Sequence, residues 1–134
     1  MVKKPSPHMT RARHFSKPVL TSLRDGKIIG IRAGTEPHRF IGVWVVVVKD
    51  RVFVRSWNDK PHGWYGAFRE EPRGAIQISG REIAVRAKKT RGERLLDAID
   101  LAYADKYNTP GSRHYVRGFA RARRRMTTTE LVPL

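Results

Sequence analysis

The segment around residue 60 contains several side chains that could bind an anion. In the sequence RSWNDKPHGWY, the residues Arg55, Ser56, Lys60 and His62 supply hydrogen-bond donors. A short helix that begins near Trp64 would add free backbone amides at its amino-terminal end, which is an arrangement suited to a phosphate. The segment therefore predicts an anion site. The structural alternative is that these polar residues only form turns.

Aromatic residues of the same segment could pack against a flat ligand. Trp57, Trp64 and Tyr65 lie within nine positions of one another, and their rings would suit a heterocycle. In the alternative interpretation the tryptophans belong to the hydrophobic core. The composition alone leaves both interpretations open.

Arg55 is the residue of this segment for which a charged partner is expected. It shares a strand face with Phe53 and Trp57, where an uncompensated charge would be costly to desolvate. The preceding strand offers no acidic residue, so a ligand phosphate is the expected partner, with Asp59 and Glu70 as internal alternatives. If the partner is a phosphate, replacing Arg55 should weaken ligand binding and leave the stability of the free protein nearly unchanged.

A second basic feature lies near the carboxyl end of the sequence. Arg113, Arg117, Arg121 and Arg124 recur at helical spacing, which predicts one very basic helix over residues 112–126. The whole chain has 28 Lys and Arg against 12 Asp and Glu, a formal net charge of +16. This balance favours a nucleic acid, an anionic surface or a small phosphorylated ligand as partner. A polyanion would be bound weakly and without sequence preference, and the alternative is a solvated helix face.

Several kinds of chemistry are disfavoured by the residues present. The chain has no cysteine, and its five histidines do not occur at metal-ligand spacing, so no metal site is predicted. There is neither a nucleophile elbow nor a glycine-rich phosphate loop. Asp97 and Asp100 lie three residues apart on a predicted helix and are interpreted as ion-pair partners of arginines. No catalytic residue is predicted.

The chain shows no signal for insertion into a membrane or for secretion. The longest apolar run, residues 41–48, is far too short for a membrane helix. The basic amino-terminal segment has no apolar stretch before Lys17, unlike a secretory signal. A cytoplasmic location is therefore expected.

The elements that would position these residues follow from hydrophobic periodicity and turn residues. Residues 1–13 are expected to be a disordered basic arm, and residues 14–134 a single domain. The predicted strands cover residues 27–32, 40–49, 51–57, 75–79, 81–87 and 127–134. The predicted helices cover residues 14–24, 64–70 and 112–126, with one more from Thr90 to before Asn108.

One helix start has a specific capping signal. Thr90 and Glu93 fit a capping box, in which each side chain bonds an amide of the first turn. With the element order above, the sequence predicts an α+β fold. Its sheet would be mainly antiparallel, with about six strands closed as a barrel and helices on its flanks.

Two groups of segments resemble known families. PHRFIGVWVVVV, RVFVRSW and GWYGAFREEPRGAIQISGREIAVRA resemble the split β-barrel flavin-binding superfamily, which includes deazaflavin-dependent nitroreductase-like and pyridoxamine-phosphate-oxidase-like proteins. LLDAIDLAYADKYN and TTTELVPL are similar to the uncharacterised bacterial domain-of-unknown-function family 2255, which is associated with the same fold.

This resemblance implies a homodimeric split barrel with a cofactor at the dimer interface. The cofactor would be flavin mononucleotide (FMN) or a deazaflavin, and the protein an oxidoreductase whose hydride is carried by the ring. The positions that match the family's binding residues are His38, Arg39, Trp44, Arg55, Ser56, Lys60, Trp64 and Tyr65.

The long strand departs from the oxidase branch of that superfamily. That branch has an arginine and a lysine as phosphate ligands where this sequence has Ile41 and Val46. The alternatives that remain open are a deazaflavin, another phosphorylated ligand, and a scaffold without a cofactor. A non-enzymatic module that binds nucleic acid or another polyanion through the arginine-rich helix is the main alternative function.

Overall fold

The computed structural model describes residues 14–58 and 63–134, which form six strands and five helices. The strands are β1 Ile28–Ala33, β2 Ile41–Val48, β3 Arg51–Val54, β4 Arg73–Ile78, β5 Arg81–Lys89 and β6 Thr129–Pro133. The helices are α1 Lys17–Asp25, α2 Trp64–Glu70, α3 Glu93–Lys106, α4 Arg113–Phe119 and α5 Ala122–Arg125. The predicted α+β class is confirmed. The predicted arm over residues 1–13 lies outside the described residues.

The six strands close into one antiparallel barrel. Their order is β1-β2-β3-β6-β5-β4, and β4 pairs back onto β1. All six pairings are antiparallel, as the sequence predicted. The late strand β6 lies between β3 and β5, so it joins two hairpins that are distant from it in sequence.

Strand β2 changes partner at its midpoint. Its first half, from Ile41 to Trp44, pairs with β1, and its second half, from Val45 to Val48, pairs with β3. Each half therefore has one edge to which no described strand pairs. We call the edge of residues 41–44 that faces away from β1 the open edge.

The second half of β2, residues 45–48, has an edge without a described strand partner on the side away from β3. This edge is covered by α3 and by Tyr107, the residue after it. The Tyr107 hydroxyl accepts a hydrogen bond from the Val45 N–H at 3.0 Å and donates to the Lys27 carbonyl at 2.6 Å. The Lys106 ammonium donates to the carbonyls of Val45 and Leu23, both at 2.8 Å. Burial raises the pKa of Tyr107 to about 12 and lowers the pKa of Lys106 to about 8.

Two apolar clusters stabilise the barrel. The larger fills its interior, where Ile29 and Ile31 of β1 are buried, and α1 and α2 contribute Leu23 and Phe68 to it. The smaller lies between the outer face of β2 and β3 and the helices α3 and α4. Its buried members are Val46, Phe53, Ile99, Tyr103, Tyr107 and Phe119.

The tight turns of both predicted hairpins are confirmed. Lys49 and Asp50 between β2 and β3 have φ angles of 51° and 62°, and Ser79 and Gly80 between β4 and β5 have φ angles of 52° and 74°. Two successive residues with left-handed φ match the twist of the strands that they connect. The short helix α2 has the predicted bounds.

The predicted capping box at the start of α3 is wrong. Gly92, with a φ of 101°, occupies the N-cap position, and no side chain caps the helix. Thr90 is buried, and its N–H donates to the carbonyl of Thr128 at 3.2 Å. Thr90 therefore continues the edge of β5 beside the chain that leads into β6, which removes it from the helix that it was expected to begin.

The predicted basic helix over residues 112–126 is also wrong, because it consists of two short helices. Arg121 interrupts it with φ −72° and ψ 148°, an extended conformation. Beyond this break, Arg125 forms ion pairs with Glu93, Asp97 and Asp100 of α3. Arg113 and Arg117 therefore lie on a different helix from Arg124, and the four arginines do not follow one helix axis.

Candidate functional site

A cavity of about 520 Å³ lies beside the open edge of β2. It forms because β3 pairs with β2 only as far as Val54, after which the chain diverges from β2. We call it the aromatic cavity. It is lined by Ile28, Ile41, Gly42, Val43, Trp44, Arg55, Ser56, Trp57, Asn58, Gly63, Trp64, Tyr115 and Phe119.

Hydrogen bonds to the chain before β6 explain why residues 55–58 leave the sheet. The Ser56 N–H donates to Thr127 Oγ1 at 2.8 Å, and the Thr127 hydroxyl donates to the Arg124 carbonyl at 2.6 Å. The Ser56 hydroxyl bonds to the Asn58 carbonyl and accepts from the Asn58 N–H at 3.3 Å. The strand predicted over residues 51–57 therefore ends early, and the space that it would fill is the aromatic cavity.

Stacked and edge-to-face aromatic rings form the walls. Trp44 stacks on Tyr107 with 4.0 Å between ring centroids and 3° between planes. Trp57 contacts Phe119 edge to face at 5.3 Å and Tyr115 at 5.4 Å. Contacts of this kind hold aromatic rings in fixed orientations, so the walls are preorganised.

Trp57 is held from two further sides. A Cβ atom at Gly118 would lie 2.4 Å from Cη2 of Trp57, so glycine is required there for the indole to lie against α4. The Arg124 guanidinium lies 3.6 Å from the centroid of the Trp57 ring, and its Nε donates to the Trp57 carbonyl at 2.8 Å. One face of the indole is thus covered by Arg124 of α5, and one edge of it lies against Gly118 of α4.

The Arg55 side chain is fully buried and is satisfied by protein acceptors. Its Nε donates to Thr128 Oγ1 at 2.7 Å, and its Nη2 to the Leu96 carbonyl at 3.3 Å. Its Nη1 donates to Asp100 Oδ1 at 2.5 Å and to the Phe119 carbonyl at 3.0 Å. The exposed fraction of the Arg55 side chain is 0%.

Among the described residues, the counter-charge of Arg55 is Asp100 of α3, an internal partner that the sequence analysis did not name. Of the internal partners considered, Glu70 does not pair with Arg55 and Asp59 lies outside the described residues. Asp100 was missed as the partner because it follows Arg55 by 45 positions on another element. Arg55 still lines the aromatic cavity, and its role as a cofactor ligand stays a prediction.

The interpretation of Asp97 and Asp100 as ion-pair partners is confirmed. Asp97 pairs with Arg125, and Asp100 pairs with both Arg55 and Arg125. These pairs dock α5 onto α3. The two carboxylates are therefore structural.

The structure gathers half of the residues predicted to bind a cofactor. Trp44, Arg55, Ser56 and Trp64 line the aromatic cavity. Lys60, like the neighbouring His62, lies outside the described residues. Trp44 comes from β2, Arg55 and Ser56 from the chain after β3, and Trp64 from the start of α2. The long strand and the start of the short helix therefore meet at this cavity.

Three predicted residues do not line the cavity. His38 places Nε2 3.0 Å from the Ala33 carbonyl, and the neighbouring Arg39 is exposed on the same loop. Tyr65 directs its hydroxyl to the Met126 carbonyl at 3.5 Å. His38 therefore contacts the end of β1, and Tyr65 contacts the residue after α5.

The sequence analysis missed the wall contributed by α4. Tyr115 and Phe119, four positions apart, both line the cavity. The signal was their i, i+4 spacing within an otherwise basic segment, which the arginines obscured. Ile28 also lines the cavity, because it pairs with Trp44 of β2. It was missed because this contact joins two separate strands.

The lining offers little acid–base chemistry of its own. Within the described residues, the ionisable side chains that line it are Arg55 and Tyr115. Nor do residues 14–58 and 63–134 contain a group of three or more His, Asp or Glu that could hold a metal ion. Such walls can bind, orient and shield a ligand, and a bound group would have to supply any redox chemistry.

Comparison with known proteins identifies the family. The profile described as "Uncharacterized protein conserved in bacteria (DUF2255)" matches residues 20–131. The chain belongs to this family. Membership of DUF2255, which the LLDAIDLAYADKYN segment suggested, is therefore confirmed.

A structural relative of this DUF2255 protein supports the fold. The crystal structure of the conserved hypothetical protein Rv2991 from Mycobacterium tuberculosis is similar, with a TM-score of 0.55 and 10% sequence identity. The match covers 98% of this chain and 83% of the other. Among curated protein sequences, none matches this chain. In the part of the chain that the structure describes, none of the helices is long and apolar enough to cross a membrane.

Proposed function

We propose that this protein binds a flat heteroaromatic cofactor of the flavin or deazaflavin type in the aromatic cavity. The observation that carries the proposal is the open edge of β2, which faces a cavity with aromatic walls. The membership of the wider flavin-binding superfamily and the cytoplasmic location belong to the same proposal.

The open edge can recognise the edge of a heterocycle by hydrogen bonding. The N–H and C=O groups of successive strand residues point to opposite sides. Because Val45 directs its polar groups to Tyr107 beside β1, those of Gly42, three positions earlier, point to the cavity side. A strand edge presents donors and acceptors alternately, and the rim of a flavin or deazaflavin ring carries both. Gly42 leaves this backbone accessible.

The volume and the walls also fit such a ring. Ligand sites are typically about 300–1,000 Å³ and mostly apolar, and the aromatic cavity is about 520 Å³. Trp44, Trp57 and Tyr115 line the cavity with aromatic rings that a flat ring could contact. When bound, a flavin or deazaflavin supplies hydride transfer, and the residues of this chain would bind it and exclude water. The proposed activity is therefore that of an oxidoreductase.

The test is a titration with riboflavin, FMN and a 5-deazaflavin, followed by fluorescence. Tyr115→Ala removes one wall, so affinity should fall about tenfold or more, the range for loss of one aromatic–base stack. Leu101→Ala truncates an apolar side chain on α3 that is 71% exposed and lies outside the lining, and it should leave affinity unchanged. Absence of binding by the wild type to all three compounds at micromolar concentrations would refute the proposal.

The proposal includes a homodimer that covers the cavity mouth. Ile28 and Ile41 are 55% and 46% exposed, and both line the aromatic cavity. A two-fold partner would bury them, as in the commonest kind of homo-oligomer. Light scattering should report a dimer at micromolar concentration, and Ile41→Glu should shift it to a monomer. A monomeric wild type would contradict this part of the proposal.

Weak binding of a polyanion is a second candidate, favoured by the exposure of arginines in α4 and just after it. Across residues 14–58 and 63–134, no carboxylate pairs with the exposed Arg113, Arg117 or Arg121. When these arginines bind the phosphates of a nucleic acid, they displace the counterions condensed on it. Affinity for single-stranded DNA should then fall with salt on a log–log slope of about −0.7 per phosphate neutralised. A slope near zero would leave only the solvated-surface interpretation.

A further inference from the structure

A second cavity adjoins the aromatic cavity and differs from it in charge. Its volume is about 460 Å³, and we call it the basic cavity. Its lining residues are Trp57, Asn58, Arg121, Ala122, Arg123, Arg124 and Thr127. Trp57 and Asn58 line both cavities, so a ligand that passes the edge of Trp57 would occupy both.

Three acids of α3 are paired with arginines that do not line the basic cavity. Glu93, Asp97 and Asp100 of α3 all pair with Arg125, and Asp100 also pairs with Arg55. None of the described lining residues is acidic. Among the described lining residues, the turn between α4 and α5 therefore contributes Arg121, Arg123 and Arg124 and no acid.

Two of these arginines could each bind an anion, for different reasons. Arg124 is held against Trp57 through its Nε and through the face of its guanidinium, so its position is fixed before any ligand arrives. Arg121 is exposed at the break between the helices, and no acid of the described residues pairs with it. One preorganised and one adaptable guanidinium are a suitable pair for the oxygens of a phosphate.

We infer that the basic cavity binds the phosphate of the ligand whose ring occupies the aromatic cavity. This inference rests on the proposed function and gives the ligand a class: a flat heterocycle joined by a flexible chain to a phosphate. It also moves the phosphate site from Arg55, which is satisfied by protein acceptors, to the α4–α5 turn. This phosphate site depends on the break at Arg121 between α4 and α5, which the sequence did not predict.

The main test compares FMN with riboflavin, which lacks the phosphate. The wild type should bind FMN about tenfold or more tightly than riboflavin at fixed ionic strength, as hydrogen bonds to charged groups imply. Arg121→Ala should reduce this preference to less than about threefold by weakening FMN binding alone. Arg81→Ala, the same change of charge at an exposed position of β5 outside both cavities, should leave the preference intact. Thermal melting of each variant checks that it is folded.

Equal loss of preference in Arg121→Ala and Arg81→Ala would overturn the inference, because a diffuse positive field would then explain it. Equal binding of FMN and riboflavin by the wild type would overturn it while leaving the proposed function intact.

Calorimetric titration with inorganic pyrophosphate tests the site without a ring. Binding that is lost in Arg121→Ala and kept in Arg81→Ala would support the basic cavity even if no flavin binds, in which case only the proposed function fails. Absence of pyrophosphate binding by the wild type, together with absence of an FMN preference, would refute the site.

Discussion

The burial of Arg55 predicts a large loss of stability when its charge is removed. The variant Arg55→Met keeps most of the apolar stem, so the lost volume is small, and it deletes all donors of the guanidinium. Four protein acceptors lose their partner, among them the Asp100 carboxylate. Breaking a buried ion pair costs about 3–5 kcal/mol.

The expected value lies near the lower end of that range. The Asp100 side chain is 26% exposed and keeps its bond from Arg125 Nε at 3.1 Å, so water and a second cation still stabilise the carboxylate. We therefore expect the free energy of unfolding to fall by about 3–4 kcal/mol. This is a large fraction of the roughly 5–15 kcal/mol that stabilises a typical domain.

The assay is urea unfolding followed by tryptophan fluorescence, with the midpoint and slope fitted separately. The matched control is Arg73→Met, which removes an arginine paired with Glu71 at 2.8 Å, where the two side chains are 52% and 35% exposed. Exposed ion pairs contribute little, so this control should lose less than about a quarter of the stability that Arg55→Met loses. A double-mutant cycle with Asp100→Asn should give a coupling of roughly 1 kcal/mol or more.

Equal, small losses in Arg55→Met and Arg73→Met would refute the reasoning. That outcome, combined with weaker binding of FMN by Arg55→Met, would restore the view that Arg55 is a phosphate ligand with no structural role. The two interpretations of Arg55 thus predict opposite results for the protein without ligand.

Three further changes test other parts of the structure. Gly118→Ala places a Cβ within 2.4 Å of the Trp57 ring, so it should displace the indole, change its fluorescence and weaken flavin binding, and an unchanged emission spectrum would contradict this. Tyr107→Phe leaves the buried Val45 N–H without its acceptor and should lower the free energy of unfolding by about 1–3 kcal/mol, measured by urea unfolding. Burial lowers the pKa of Lys106 to about 8 from 10.5, so the unfolded state holds more protons between these values and stability should rise from pH 8 to pH 10 relative to Lys106→Met. A flat difference over that range would show that Lys106 titrates normally.

The parts of the fold that the sequence predicted are those that local signals determine. Hairpins with adjacent partners follow from alternation and from turns such as Lys49-Asp50, and α2 follows from its apolar residues and the proline after it. The barrel itself could be expected because six short strands with few long helices must bury one face of each strand.

The features that were not predicted correctly depend on contacts between segments that are distant in the sequence. The break at Arg121 accompanies the docking of Arg125 on the acids of α3, and helical spacing within residues 112–126 carries no trace of that contact. The Arg55–Asp100 pair and the α4 wall are of the same kind. Half of the predicted site was found because β2, the chain after β3 and the start of α2 converge on one rim of the barrel.

The position of β6 between β3 and β5 has a consequence for biosynthesis. Val52 pairs with Leu131, and Val85 pairs with Pro133, so barrel closure must wait until residues 129–133 have left the ribosome. Until then β3 and β5 each present a strand edge with unsatisfied backbone groups, and such edges promote association between nascent chains. Chains terminated before Thr129 should therefore accumulate in aggregates or be degraded, whereas chains that include β6 close their last two edges in one step.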